Sequence, residues 1–108
     1  MPERCVVWIS ADVADTDAKR ADDQRACIRF AESKEMIVSQ VVFGSAQSEH
    51  QAYGQLHELL RRHDACVVVV PASDHIHLGS ASRLAGVYAA RTAEYWRWGR
   101  SGGGECHR

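Results

Sequence analysis

Residues 5–10, CVVWIS, decide how the rest of the chain is read. They form a continuous run of apolar and β-branched residues closed by a hydroxyl, and the polar stretch ADVADTDAKRADD follows. An apolar run of this length between polar flanks predicts a strand buried on both faces. In an open α/β sheet, chemistry gathers at the carboxyl ends of such strands. Ser10 stands at that end and is the first candidate for an active centre.

Working outward, a loop leads to a helix predicted over 16–33. Thr16 or Asp17 can cap it, and Cys27, Phe30 and Ala31 follow i, i+3, i+4 spacing. MIVSQVVF at 36–43 reads as a second strand, and 44–48 as a turn. A second helix over 49–63 carries the stripe Ala52, Leu56, Leu59 and Leu60, with Arg61, Arg62 and His63 at the negative end of its dipole. ACVVVV at 65–70 reads as a central third strand that Pro71 ends, and PASDHIHLGS is a loop at its carboxyl end. Leu84, Val87, Tyr88 and Tyr95 recur at helical spacing and predict a third helix over 80–96. The order β-α-β-α-β-α predicts a three-layer α/β domain over 1–98, with a mainly parallel sheet and flanking helices. The glycine-rich 99–108 predicts a flexible tail.

The 108 residues make one domain of ordinary soluble composition, 45% apolar and 25% charged. A net charge of −1 argues against a domain that grips nucleic acid by nonspecific phosphate contacts, which would be basic. Cys5, Cys27, Cys66 and Cys106 form no CxxC pair and suit small buried hydrophobes in a reducing compartment. There is no signal core and no stretch long enough to span a bilayer, so a cytoplasmic location and no membrane partner are expected.

Candidate chemistry is sparse. Ser10 needs an activating neighbour to be a nucleophile, and no GxSxG elbow surrounds it. Asp74, His75 and His77 could hold a metal if the two histidines point the same way along an extended segment. His50, His63, Cys106 and His107 are further ligand types, but none stands at a recognised spacing, and polar loop residues are the simpler reading. No glycine-rich phosphate loop is present, and no metal or cofactor is expected. Tyr95, Trp96 and Trp98, interleaved with Arg91, Arg97 and Arg100, could stack on bases, although packing is the commoner use of such a cluster.

Taken together, these pieces resemble the catalytic domain of serine recombinases, the resolvase/invertase family. The family opens with a strand of the form Tyr-x-Arg-x-Ser, and here Ser10 ends the strand. Gln24-Arg25 opens QRACIRFAESKEMIV, similar to the family's Gln-Arg helix leading into strand two. EHQAYGQLHELL resembles the Asp-Arg-Pro segment and its helix, and Asp64-Ala65 with CVVVV resembles strand three. ASDHIHLG lies where the family has Leu-Asp-Arg-Leu-x-Arg. The resemblance covers about 4–84. It implies DNA strand exchange through a phosphoserine link at Ser10. Gln24, His50, Asp74 and His75 stand at the other catalytic positions, and His77 and Arg25 at DNA-contacting ones. DNA would be the partner of an active chain, with a second copy or a recombinase as protein partner.

The departures carry equal weight. The family's arginines polarise the scissile phosphate. Their places here hold Trp8, His50 (followed by Gln51), and either His75 or His77 according to register. Neutral imidazole offers one donor where guanidinium offers a charged fork. Losing one preorganised donor to a developing oxyanion costs about 3–4 kcal/mol. The family continues with another strand and a long dimerising helix, whereas this sequence reaches GRSGGGECHR, so the resemblance is to a truncated domain. A weak or inactive chain is therefore expected. The alternative is a non-enzymatic α/β protein-interaction module. A replacement source of positive charge at Ser10 would separate the two. A metal-dependent phosphoesterase built on Asp74, His75 and His77 is the remaining reading.

Overall fold

The computed structural model describes residues 2–44 and 49–97. Five strands form one sheet in the order β2-β1-β3-β4-β5. The central β1 (Arg4–Ser10) lies parallel to both β2 (Ile37–Gly44) and β3 (Val67–Val70), so the three strands read from the sequence are adjacent and parallel. The strand β4 (Gly86–Ala89) adds in parallel to β3, and β5 (Glu94–Trp96) pairs antiparallel with β4. Three helices flank the sheet: α1 (Asp17–Ser33), α2 (Glu49–His63) and α3 (Leu78–Leu84).

The pleat sorts the apolar runs between two cores. Cys5, Val7 and Ile9 of β1, with Val67 and Val69 of β3, pack against Cys27 and Ala31 of α1. Val6, Trp8, Val68 and Val70 face the other way, onto Leu56 and Leu60 of α2 and Ala81 of α3. Both strands are therefore buried on both faces, as their unbroken apolar character requires. Burial, aided by the charge of Glu3, pushes the Cys5 thiol up to about 11, and burial beside Asp23 outweighs the opposing pull of Arg91 and pushes the Cys27 thiol up to about 12. These cysteines are packing groups.

Local signals explain the helix ends. Thr16 Oγ1 accepts from the Lys19 amide at 3.1 Å and so caps α1. At the far ends, Glu35 (φ 58°) and Asp64 (φ 53°) adopt the left-handed conformation. The next amides, Met36 and Ala65, then reach back to the carbonyls of Ala31 (2.9 Å) and Leu60 (3.0 Å). Each turn delivers the chain directly toward a strand.

The predicted third helix over 80–96 is replaced by a short helix and two strands. After Leu84 the chain enters β4, turns through residues 90–93 and returns as β5. Leu84, Val87, Tyr88 and Tyr95 satisfy a helical spacing, yet Val87 joins the α2 side of the core while Tyr88 packs on Phe30 of α1. Adjacent residues on opposite faces have the period of a strand. The deciding term is tertiary: without β4, the outer edge of the fully buried β3 would present unpaired backbone groups to the core. Tyr95 stacks on Tyr88 at 4.6 Å, and Trp96 packs on the α2 side, so both aromatics serve the fold. Residues 45–48 of the predicted turn, Trp98, Arg100, Cys106, His107 and the predicted flexible tail lie outside the described residues.

Gly44, which pairs with Ser10, allows the close approach that seats Trp8. A Cβ there would lie 2.6 Å from Trp8 Cζ2 and 2.9 Å from Cε2, and the indole is only 4% exposed. Gly44→Ala should therefore lower unfolding stability by about 1–3 kcal/mol, as overpacking does. Urea denaturation checks this, and an unchanged midpoint would show that the indole can move aside.

Candidate functional site

The topology creates a crevice at the carboxyl end of the sheet. From β1 the chain leaves through α1 toward β2 on one side, while β3 lies on the other side of β1 and leads to α3 on the opposite face. Loops that diverge from two neighbouring parallel strands open a gap between them. A cavity of about 280 Å³ occupies that place. Val13 and Ala14 from the loop after β1, Lys19, Asp22 and Asp23 from α1, Ala72, Asp74 and His75 from the loop after β3, and Arg91 from the β4–β5 turn line it.

His75 connects these elements. The Ser10 amide donates to His75 Nδ1 at 2.9 Å, across 65 positions of sequence. An accepting Nδ1 leaves the proton of the neutral ring on Nε2. Nε2 faces Asp23 Oδ2 at 3.6 Å, and Asp23 Oδ1 accepts from Arg91 Nη2 at 2.6 Å and Nε at 3.2 Å. The imidazole is buried, and that burial pushes its pKa below the usual 6.5, against the opposing pull of Asp23 and Asp74. The Arg91–Asp23 pair joins a buried carboxylate to a half-exposed guanidinium, so solvent limits its contribution to about 1 kcal/mol.

The Ser10 hydroxyl plays a local part. Its Oγ accepts from the amides of Asp12 (3.2 Å) and Val13 (3.3 Å), which folds the loop back over the strand end. Arg20 fastens that loop from α1, donating to the carbonyls of Ala14 (2.8 Å) and Ala11 (3.2 Å). Serine, histidine and aspartate thus assemble in one place. However, the lone pair of His75 that could take a proton from Oγ is held by the Ser10 amide. This geometry is a structural lock and not a nucleophile–base pair.

The other sequence candidates are divided by the sheet. Trp8, one pleat away, points to the α2 and α3 side, where a narrow apolar crevice is lined by Trp8, Tyr53, Leu56, Ile76, His77 and Ala81 among others. His75 and His77 therefore line different cavities on the two sides, since the segment Ser73–His75 forms a 3₁₀ turn. The idea that both histidines point one way is corrected by that turn. Among the described residues, no group of three or more His, Cys, Asp or Glu is placed to hold a metal. His50 is exposed in the first turn of α2, and Arg25 is an exposed partner of Asp22 at 2.7 Å. Gln24 is half-buried, and the α1 residue facing His75 is its neighbour Asp23.

Asp23 is the site residue without a sequence signal, because a buried aspartate inside the charged run DDQR leaves no mark, and Arg91, which the sequence groups with the aromatics of a third helix, reaches the cavity from the β4–β5 turn instead. The cavity does hold positive charge, in Lys19 and Arg91. Each is already paired, with Asp15 at 2.9 Å and with Asp23 at 2.6 Å, and the lining holds three carboxylates against two cations. Such a wall repels a phosphate dianion. No family model, curated protein or solved structure matches this chain.

The lowered pKa of His75 has a signed consequence. The fold favours the neutral ring, so the unfolded chain binds more protons as the pH falls through 6.5. Stability present above 6.5 is lost progressively below it, until the folded-state value is passed. Denaturation midpoints at neutral and mildly acidic pH, together with the His75 ring titration followed by NMR, check this. A His75 midpoint above 6.5 in the folded chain would contradict the geometry.

Proposed function

We propose that this chain is a recombinase-like α/β domain that works without catalysis, as a protein-interaction module. The observation that carries the reading is the position of Trp8. Where the resemblance assigns a phosphate-gripping guanidinium, a buried indole fills the space against Gly44 and α2. An indole can neither bind nor polarise a phosphate oxygen as a charged fork of donors does.

Three features support the recombinase-like half of the reading. Ser10 ends a central parallel strand, the Asp74–His77 loop lies beside it, and a further strand follows the third helix, where the sequence predicts a departure from the family. Three features support the non-catalytic half. The Ser10 hydroxyl accepts two loop amides, the His75 lone pair is taken by the Ser10 amide, and Arg91 is neutralised by Asp23. Phosphoryl transfer depends on positioning and charge stabilisation, and among the described residues the two cations that line the cavity are each paired with a carboxylate. With net charge −1, protein is the partner class, a recombinase or a second copy being the forms that the resemblance suggests.

The purified chain, incubated with supercoiled DNA, should form no covalent adduct, in the wild type or in Ser10→Ala. A Ser10-dependent adduct seen on a denaturing gel would overturn the reading. Returning an arginine to position 8 should not restore chemistry. Trp8→Arg places a charge among Val6, Leu56 and Val68 and should destabilise by about 3–5 kcal/mol, in the range for losing a buried aromatic. A Trp8→Arg chain as stable as wild type and able to bind DNA would show that the crevice can open to a phosphate.

A further inference from the structure

The sheet ends in two edges of opposite character. The edge strand β5 is three residues long and carries Glu94, the short and charged form that deters pairing with another chain. The edge strand β2 runs for eight residues, IVSQVVFG, with neither a charge nor a proline. Its guard is a bulge: the register slips between Cys5 and Val6, so that Ser39 has no partner on β1. Beyond the bulge, residues 40–44 run in unbroken register with residues 6–10.

The backbone directions along β2 follow from the bonds at its two ends. The Ile37 amide donates to the Glu3 carbonyl at 2.8 Å, and the Gly44 carbonyl accepts from the Ala11 amide at 2.7 Å. In a parallel ladder, successive residues turn their N–H and C=O to opposite sides. Counting back from Gly44, Val42 and Gln40 face β1, while Val41 and Phe43 turn theirs outward. Among the described residues no strand lies beyond β2, and of these outward groups the Val41 carbonyl has a partner in the Gln40 side-chain amide, at a long and exposed 3.3 Å. The side chains are open as well. Phe43 is 43% exposed, although Ile9, beside it in register, is fully buried.

We propose that β2 pairs antiparallel with β2 of a second copy, across a two-fold axis at Val42, so that two sheets become one. In that register Val41 of each copy exchanges both backbone hydrogen bonds with Phe43 of the other. Val42 meets its own image on the α2 face. Val41 meets Phe43 on the α1 face, as a β-branched and aromatic pair of the kind that stabilises sheets. No charge opposes its own image, since the strand holds none. A foreign peptide fits less well, because it is read through pockets for alternate side chains, and neither cavity described above is lined by a β2 residue. The assembly closes at two copies, because both outer edges are then the guarded β5. This pairing deepens the interaction-module reading, on which it rests for the class of partner, by naming the surface and the occupant.

Sedimentation velocity of the purified chain under reducing conditions tests it. The interface is smaller than a standard one, so a dissociation constant on the order of 100 µM is expected, read between about 10 µM and about 1 mM protein. The Val41 and Phe43 amides should exchange with solvent about fourfold more slowly at the upper concentration than at the lower, by mass action. Val41→Pro removes an outward N–H that the fold does not use, and an edge strand tolerates proline there. That variant should keep the far-UV circular dichroism of the wild type and remain a monomer throughout. Phe43→Lys sets a charge on the seam and should weaken pairing by about tenfold or more. The proposal is overturned by a wild-type chain that stays monomeric, by an assembly larger than two, or by Val41 and Phe43 amides that exchange equally at both concentrations. A folded Val41→Pro that pairs like wild type overturns it too; if Val41→Pro does not fold, Phe43→Lys pairing like wild type does so. A monomer that forms no DNA adduct removes this edge and leaves the non-catalytic reading, whereas a Ser10-dependent adduct removes that reading and leaves a measured dimer.

Discussion

The hydrogen bond from the Ser10 amide to His75 Nδ1 is the contact on which the carboxyl end of this sheet depends. It joins the end of β1 to the loop after β3. Through the far side of the same ring, α1 enters by way of Asp23 and the β4–β5 turn by way of Arg91. Without the imidazole, a half-buried strand-end amide would lose its partner, at a cost of about 1–3 kcal/mol. The ring performs this task only when neutral, because a protonated Nδ1 cannot accept. Burial supplies that condition by holding its pKa down.

The same arrangement shows how the polar atoms of a serine and a histidine that meet at one strand end are already engaged with the backbone. A general base needs an available lone pair directed at the nucleophile, and here it is directed at the backbone. Ser10 Oγ in turn holds the amides of Asp12 and Val13, and so shapes the loop that walls one side of the cavity. The cavity beside them is acidic in balance, with three carboxylates against two paired cations in its lining.

The sheet separates two environments that the linear sequence interleaves. Ile9 faces α1 and Trp8 faces α2, so neighbouring positions serve opposite sides of β1. On the α1 side at the strand end lies a polar, charged cavity, and on the α2 side a narrow apolar crevice closed by an indole. His75 and His77 are distributed between them by a single 3₁₀ turn.

Much of the framework was legible in the sequence for a physical reason. The runs CVVWIS and ACVVVV are apolar without interruption, and only strands covered on both faces can bury every residue of such a run. Thr16 and the stripes of α1 and α2 are likewise local signals, and the structure follows them. The last quarter was misread because Leu84, Val87, Tyr88 and Tyr95 fit a helical period by coincidence, and the outer edge of β3 decided the matter by demanding a partner strand. The site was half legible: Ser10 and His75 stood out by residue type, and their joint position at strand ends followed from a parallel sheet. That His75 accepts from the backbone, that Asp23 and not Gln24 turns inward, and that Arg91 arrives from a hairpin depend on contacts between residues as many as 68 positions apart. Periodicity and composition describe neighbours along the chain, so the strand framework was theirs to determine. Which donor meets which lone pair was left to the tertiary structure, because only folding brings those groups within bonding distance.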